Sequence, residues 1–165
     1  METKSRIEKR KLRNCTLMNT RGIRIELENG EGPFISTNEA WKKTKWARSI
    51  GQRHDKYGFL SPAQDEGIDD EWLDQNTILN SDEMKESIWK CAYINFEDII
   101  KYLNVGYIDA LIRYKFRFLE LELEKGSYQK SDCQIVYNEE GIIYTQDITH
   151  VFEEYVEENR SQIYL

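Results

Sequence analysis

Histidine and proline are nearly absent: two of each occur in 165 residues, alongside three cysteines. His54 and His150 are too few and too widely separated for the short-spaced His/Cys ligand sets of zinc sites. Cys15, Cys91 and Cys133 are odd in number and include no C-x-x-C pair, so the expectation is reduced thiols serving as small buried hydrophobes. No apolar run approaches the roughly 20 residues of a membrane span. The charged N-terminus lacks the apolar stretch of a secretion signal. Together these point to a cytoplasmic chain with no membrane contact.

Motifs are missing too. The phosphate-cradling G-x-x-x-x-G-K-[ST] and G-x-G-x-x-G loops do not occur, nor do G-x-S-x-G, H-E-x-x-H or the D-x-[DN]-x-[DN]-G calcium loop. His54-Asp55 has the residue types of a metal-binding phosphohydrolase dyad, but no earlier histidine precedes it. Glu122-Leu123-Glu124-Lys125 misses by one residue the acidic-x-Lys spacing of a metal-dependent nuclease strand. A nucleophilic cysteine needs an activating base, and sequence places none beside a thiol. The expectation is no metal and no cofactor, leaning away from an enzyme. An enzyme of a class without such motifs stays as a third reading.

What is present is charge, unevenly distributed. Residues 1–56 hold 14 Lys/Arg against 7 Asp/Glu, whereas residues 57–165 hold 9 against 23. Such polarity creates a field that steers partners and orients them. Aromatic residues make up 12% of the chain, far from the aromatic-poor composition of disorder, and the length suffices for a real core.

Patterning organises the chain as a basic arm over residues 1–13 and one α+β domain over 14–165. Strands at 15–18 and 23–27 flank Asn19-Thr20-Arg21-Gly22 and read as an N-terminal hairpin. Ile23, Ile25 and Leu27 face the core there, and Arg24 and Glu26 face water. Asn29-Gly30 starts a second turn, and Phe34-Ile35 adds a short strand. Ser36-Thr37-Asn38-Glu39 matches a capping box for a helix over 37–50. Residues 58–80 read as a long acidic loop holding a short helix near 69–75, pinned by Trp72 and Leu73. Asn80 reads as the cap of a helix with Met84, Ile88, Trp89 and Ala92 on its inner stripe.

Asn95 caps the next helix, with Phe96, Ile99, Ile100 and Leu103 inward and a break at Asn104-Val105-Gly106. This stretch is similar to the first helix and turn of a helix-turn-helix, but the residues that follow are apolar and acidic, which favours a helical pair in the core. Spacings of three and four from Val105 to Leu123 predict a helix over 107–124, against a competing strand alternation at 119–124. A second hairpin is expected from 133–137 and 142–145. The last helix covers 148–159, with Asp147 as cap and Ile148, Val151, Phe152, Tyr155 and Val156 as its stripe. The fold class is α+β: about five helices packed with two antiparallel β-hairpins, which can share one sheet.

Two binding surfaces emerge. Asp65, Glu66, Asp69, Asp70, Glu71 and Asp74 form the most acidic segment and suit a protein partner with a basic cleft. Carboxylates spread over a folded surface occupy such a cleft and block it, as an inhibitor or immunity protein does. Lys42, Lys43, Lys45, Arg48, Arg53 and Lys56, with Trp41 and Trp46, are the alternative. There, cations neutralise phosphates and an indole stacks on a base, as in a nucleic-acid-binding regulator.

Overall fold

A computed structural model describes residues 18–33, 43–45 and 60–162, and every structural statement below concerns these. The basic arm, the first strand of the expected N-terminal hairpin, Phe34-Ile35 and nearly all of the helix over 37–50 lie outside them. Four α-helices occur among the described residues: α1 (Asp70–Gln75), α2 (Phe96–Tyr102), α3 (Val105–Arg113) and α4 (Thr149–Asn159). Eight strands make three sheets: β1 (Thr20–Glu26), β5 (Arg117–Leu123) and β8 (Ile142–Asp147) in the order β1-β5-β8; β2 (Thr77–Leu79) with β3 (Lys85–Ser87); and β4 (Trp89–Ala92), β7 (Ile135–Asn138) and β6 (Tyr128–Lys130) in the order β4-β7-β6. The class is α+β. The finer expectation of about five helices and two terminal hairpins gives way to four helices and three sheets.

The chain divides into two units. One comprises Met1–Gly22, Leu60–Ile94 and Leu121–Thr145; the other comprises Ile23–Phe59, Asn95–Glu120 and Gln146–Leu165. In the first unit, β7 is the central strand of an antiparallel sheet, with Cys91 opposite Val136 on one side and Gln129 opposite Val136 on the other. Ile135, Val136 and Tyr137 are all fully buried, as befits a strand covered on both faces. Ile68, Leu73 and Val136 make a small core, against which Trp72, Trp89 and Cys91 pack.

Gly22, expected in a turn, lies within β1. A Cβ there would stand 2.9 Å from Ile135 Cδ1 and 3.3 Å from the Tyr93 carbonyl, so the glycine serves close packing. Strand β1 begins within the expected hairpin turn and takes up Thr20, Arg21 and Gly22.

In the second unit, Asn95 caps α2 by accepting from the Asp98 amide at 2.9 Å, and Asn104 caps α3 by accepting from the Tyr107 amide at 3.0 Å. Helix α3 buries Val105, Ile108, Ala110 and Leu111, so the helical pair is core. Phe152 of α4 stacks on Phe118 at 4.5 Å and tilts against Phe96 at 5.1 Å. Aromatic pairs at such distances add stabilisation beyond their buried area. Val151, placed on the inner stripe by periodicity, is exposed. Arg24, expected in water, is buried: its Nε donates to Glu26 and its Nη2 to the Gly30 carbonyl at 3.2 Å.

Three further expectations are corrected, each for a local reason. The helix predicted after Asn80 is instead a turn followed by strands β3 and β4, and β2 occupies the end of the expected loop before Asn80. Asn80 Oδ1 does accept amide hydrogens, from Asp82 and Met84, both at 3.0 Å. An Asx turn and a helix cap share that chemistry, and Glu83 at φ 56° turns the chain back. The helix predicted over 107–124 ends at Arg113, and the 119–124 alternation is strand β5. Lys115 sits at φ 69°; its amide bonds the Ile112 carbonyl and the Phe116 amide bonds the Leu111 carbonyl, both at 3.0 Å. That is a Schellman termination built without glycine. The C-terminal hairpin does not form. Strands β7 and β8 exist, but β7 lies between β4 and β6 while β8 lies beside β5.

Candidate functional site

The acidic segment starts on a buried anchor. Asp65 is only 9% exposed. Its Oδ1 accepts from the Gly67 amide at 2.9 Å and its Oδ2 from Gln134 Nε2 at 2.8 Å. Gln134, fully buried beside β7, also donates from Nε2 to the Leu60 carbonyl at 2.9 Å. Gly67 has to be glycine, because a Cβ would lie 2.6 Å from Ser131 Cβ. Cys133 completes the cluster, its Sγ donating to Asp65 Oδ2 at 3.5 Å. Burial pushes this thiol above its ordinary range; a hydrogen bond with Ser131 pulls the other way, and Asp65 adds to the rise. A thiol held protonated is a poor nucleophile. The cluster fastens the loop to the sheet, and Asp65 therefore leaves the set of exposed carboxylates.

The remaining five stand outward. Glu66, Asp69, Asp70, Glu71 and Asp74 are all exposed. Asp69 is the N-cap of α1, accepting from the Glu71 amide at 3.1 Å. Asp70 and Glu71 occupy the first turn, where negative charge complements the helix dipole. Leu73 points into the core with Trp72 packed against it, as the sequence predicts, so the helix has an apolar inner side and an acidic outer side. Among the described residues no cation lies within ion-pair distance of these five carboxylates.

The surface continues into the β2–β3 ribbon, whose strands pair Thr77 with Ser87, Ile78 with Glu86 and Leu79 with Lys85. Asp82, Glu83 and Glu86 add exposed carboxylates, so residues 66–88 hold eight Asp/Glu against one Lys. Sequence reasoning missed this half of the surface by folding Met84 and Ile88 into a helix. The β-branched Thr77-Ile78 beside the turn-forming Asn80 was the available signal.

The basic alternative is scarcely represented. Lys43 and Lys45 are exposed; Lys42, Arg48, Arg53, Lys56, Trp41 and Trp46 lie outside the described residues. Elsewhere, a cleft of about 190 Å³ lies between α3 and α4, with Ile108, Ile112 and Val156 among its lining. Arg160 bridges Asp109 at 3.6 Å and Glu157 within the same lining, so these charges neutralise one another. His150 is exposed and faces Glu154 at 3.1 Å. Among the described residues no three His, Cys, Asp or Glu side chains gather as a metal site, and no helix is long and apolar enough to cross a membrane. Comparisons with protein-family models, curated proteins and solved structures find no match to this chain.

Proposed function

We propose that this protein acts by binding a protein partner with a basic surface, which it occludes through the acidic face of α1 and the loop before it. The reading is supported chiefly by Glu66, Asp69, Asp70, Glu71 and Asp74. These exposed carboxylates share a short stretch of chain whose inner side is held by Leu73 and whose start is fixed by Asp65. A rigid base matters, because charges already held in place lose less freedom when a partner arrives. Electrostatic complementarity of this kind speeds encounter and excludes wrong partners, and salt weakens it.

The experiment is capture from the native host's lysate with the wild-type protein and with a variant carrying Glu66→Gln, Asp69→Asn, Asp70→Asn, Glu71→Gln and Asp74→Asn. Asn caps a helix about as well as Asp, so the variant keeps the fold of α1. The reading expects a basic protein retained by the wild type at low salt, and released by the amide variant or by raised salt. Retention of the same proteins by both, or of none by either, contradicts it.

A further inference from the structure

The β2–β3 ribbon shows its apolar side chains on both sides to water. Ile78 and Leu79 are 48% and 66% exposed, and Met84 and Ile88 are 65% and 39% exposed. Every residue of β3 is exposed, as are two of the three in β2. Among the described residues neither strand has a second neighbour, so the ribbon has two open edges as well. A two-stranded ribbon with nothing packed on it is marginal in water. This one is held at its ends: the Ile88 amide bonds the Asn76 carbonyl at 2.8 Å, and the Asn80 amide bonds the Met84 carbonyl at 2.9 Å.

The register gives the faces a composition. Ile78 lies directly opposite Glu86, so the two share a face. Strand alternation adds Met84 and Ile88 to it. Three apolar side chains therefore surround one carboxylate. The other face carries Leu79 opposite Lys85, with Thr77 opposite Ser87. Contiguous apolar surface rimmed by charge marks interaction sites. The charge also selects the occupant. With eight acidic residues and one Lys over 66–88, a second copy presenting this same face, or a nucleic acid, would meet like charge.

We propose that the Ile78, Met84 and Ile88 face of the β2–β3 ribbon is the apolar anchor for a cationic polypeptide, whose apolar side chains lie on this face while its neighbouring Lys or Arg heads reach Glu86. Long basic side chains are suited to that reach, being apolar along the stem and charged at the tip. The acidic face of α1 steers the partner and the ribbon holds it, so the inference rests on the function proposed above and adds the contact that determines affinity. Anchors of this kind dominate binding energy, while surrounding charges mainly set encounter rate.

The experiment uses two labelled peptides of equal length and charge, one alternating Lys with Val and one alternating Lys with Ser, titrated by fluorescence anisotropy. The wild type is expected to bind the Lys/Val peptide about tenfold more tightly than the Lys/Ser peptide, in the range an interface anchor provides. Ile78→Thr with Met84→Gln is expected to abolish that preference and leave Lys/Ser binding unchanged. These positions are exposed, and an unaltered circular dichroism melt confirms the fold. The five-amide variant of the α1 segment is expected to weaken both peptides while keeping the preference. No preference in the wild type, or a preference that survives Ile78→Thr/Met84→Gln, overturns the anchor. Unchanged binding by the five-amide variant overturns the acidic reading instead.

Discussion

The Asn138 side-chain amide donates a 2.8 Å hydrogen bond to Asn76 Oδ1 across 62 positions of sequence. Asn76 Nδ2 in turn donates to the Trp72 carbonyl at 2.8 Å, and Asn138 Oδ1 accepts from the Glu140 amide at 3.0 Å. This relay ties the end of α1 and the base of the β2–β3 ribbon to strand β7. Replacing Asn138 with Ala leaves Asn76 Oδ1 half-buried without its donor, at an expected cost of about 1–2 kcal/mol. Chemical denaturation measures the loss. Hydrogen exchange is expected to show faster opening of residues 77–87 than of β4 and β7.

Gln134 and Asp65 form the second fastening, and it is more deeply buried. Gln134→Leu removes the donor to both Asp65 Oδ2 and the Leu60 carbonyl, and is expected to destabilise by about 2–3 kcal/mol. Gln134→Glu is the more telling change. It sets two carboxyl groups where a 2.8 Å hydrogen bond stood, and like charges at that distance cannot both ionise. This variant is expected to be least stable at neutral pH and to recover in mild acid, when one carboxyl takes up a proton. A stability difference from wild type that does not change with pH would contradict the geometry.

The start of α4 carries its own acid sensitivity. Asp147 Oδ1 accepts from the Thr149 hydroxyl at 2.7 Å and from its amide at 2.9 Å. These bonds, the hydroxyl's first, hold the Asp147 carboxyl below its ordinary range; burial opposes them, and Arg117 adds a lesser attraction. A carboxyl depressed on folding stabilises the native state above its unfolded value, about 3.9, and that contribution disappears as pH falls through the lower folded value. Asp147→Asn is therefore expected to reduce stability at neutral pH and to lose less than wild type as the solution is acidified below about pH 4. Thermal melts across pH give both curves.

Lys115 explains why the sequence misleads at the end of α3. Helix ends are usually announced by glycine in the left-handed region, and the next glycine after this helix is Gly126, where the prediction stops it. Lys115 takes the left-handed conformation in glycine's place. Lys115→Gly is expected to stabilise the protein by about 0.5–1 kcal/mol by removing Cβ strain, and Lys115→Val to destabilise it. Equilibrium denaturation distinguishes the two.

Elements that carried local chemistry were readable from sequence. Asn95 caps the helix placed after it, Ile23, Ile25 and Leu27 are buried as alternation requires, and Trp72 and Leu73 hold α1 to the core, whereas Asn104, read only as a break, is the cap of α3. Elements decided by distant partners were not. Trp89, Lys90, Cys91 and Ala92 form a strand because β7 lies alongside, and β7 and β8 part into different sheets although the four residues between their expected strands resemble a hairpin turn. Of the candidate surface, the carboxylates were visible as composition. Asp65 turned inward because Gln134, 69 positions away, supplies its donor. The apolar half stayed hidden because the same Asn80 hydrogen bonds serve a turn or a helix.

The claim that carboxylates of the α1 segment bind a basic partner is tested most directly by equilibrium titration of the captured protein against wild type and the five-amide variant at two salt concentrations. Raising salt from about 50 to 500 mM shortens the screening length from more than 10 Å to about 4 Å. The account expects wild-type affinity to fall at least about tenfold over that range, and the amide variant to bind weakly with little dependence on salt. Equal affinity of the two proteins, unchanged by salt, would contradict it.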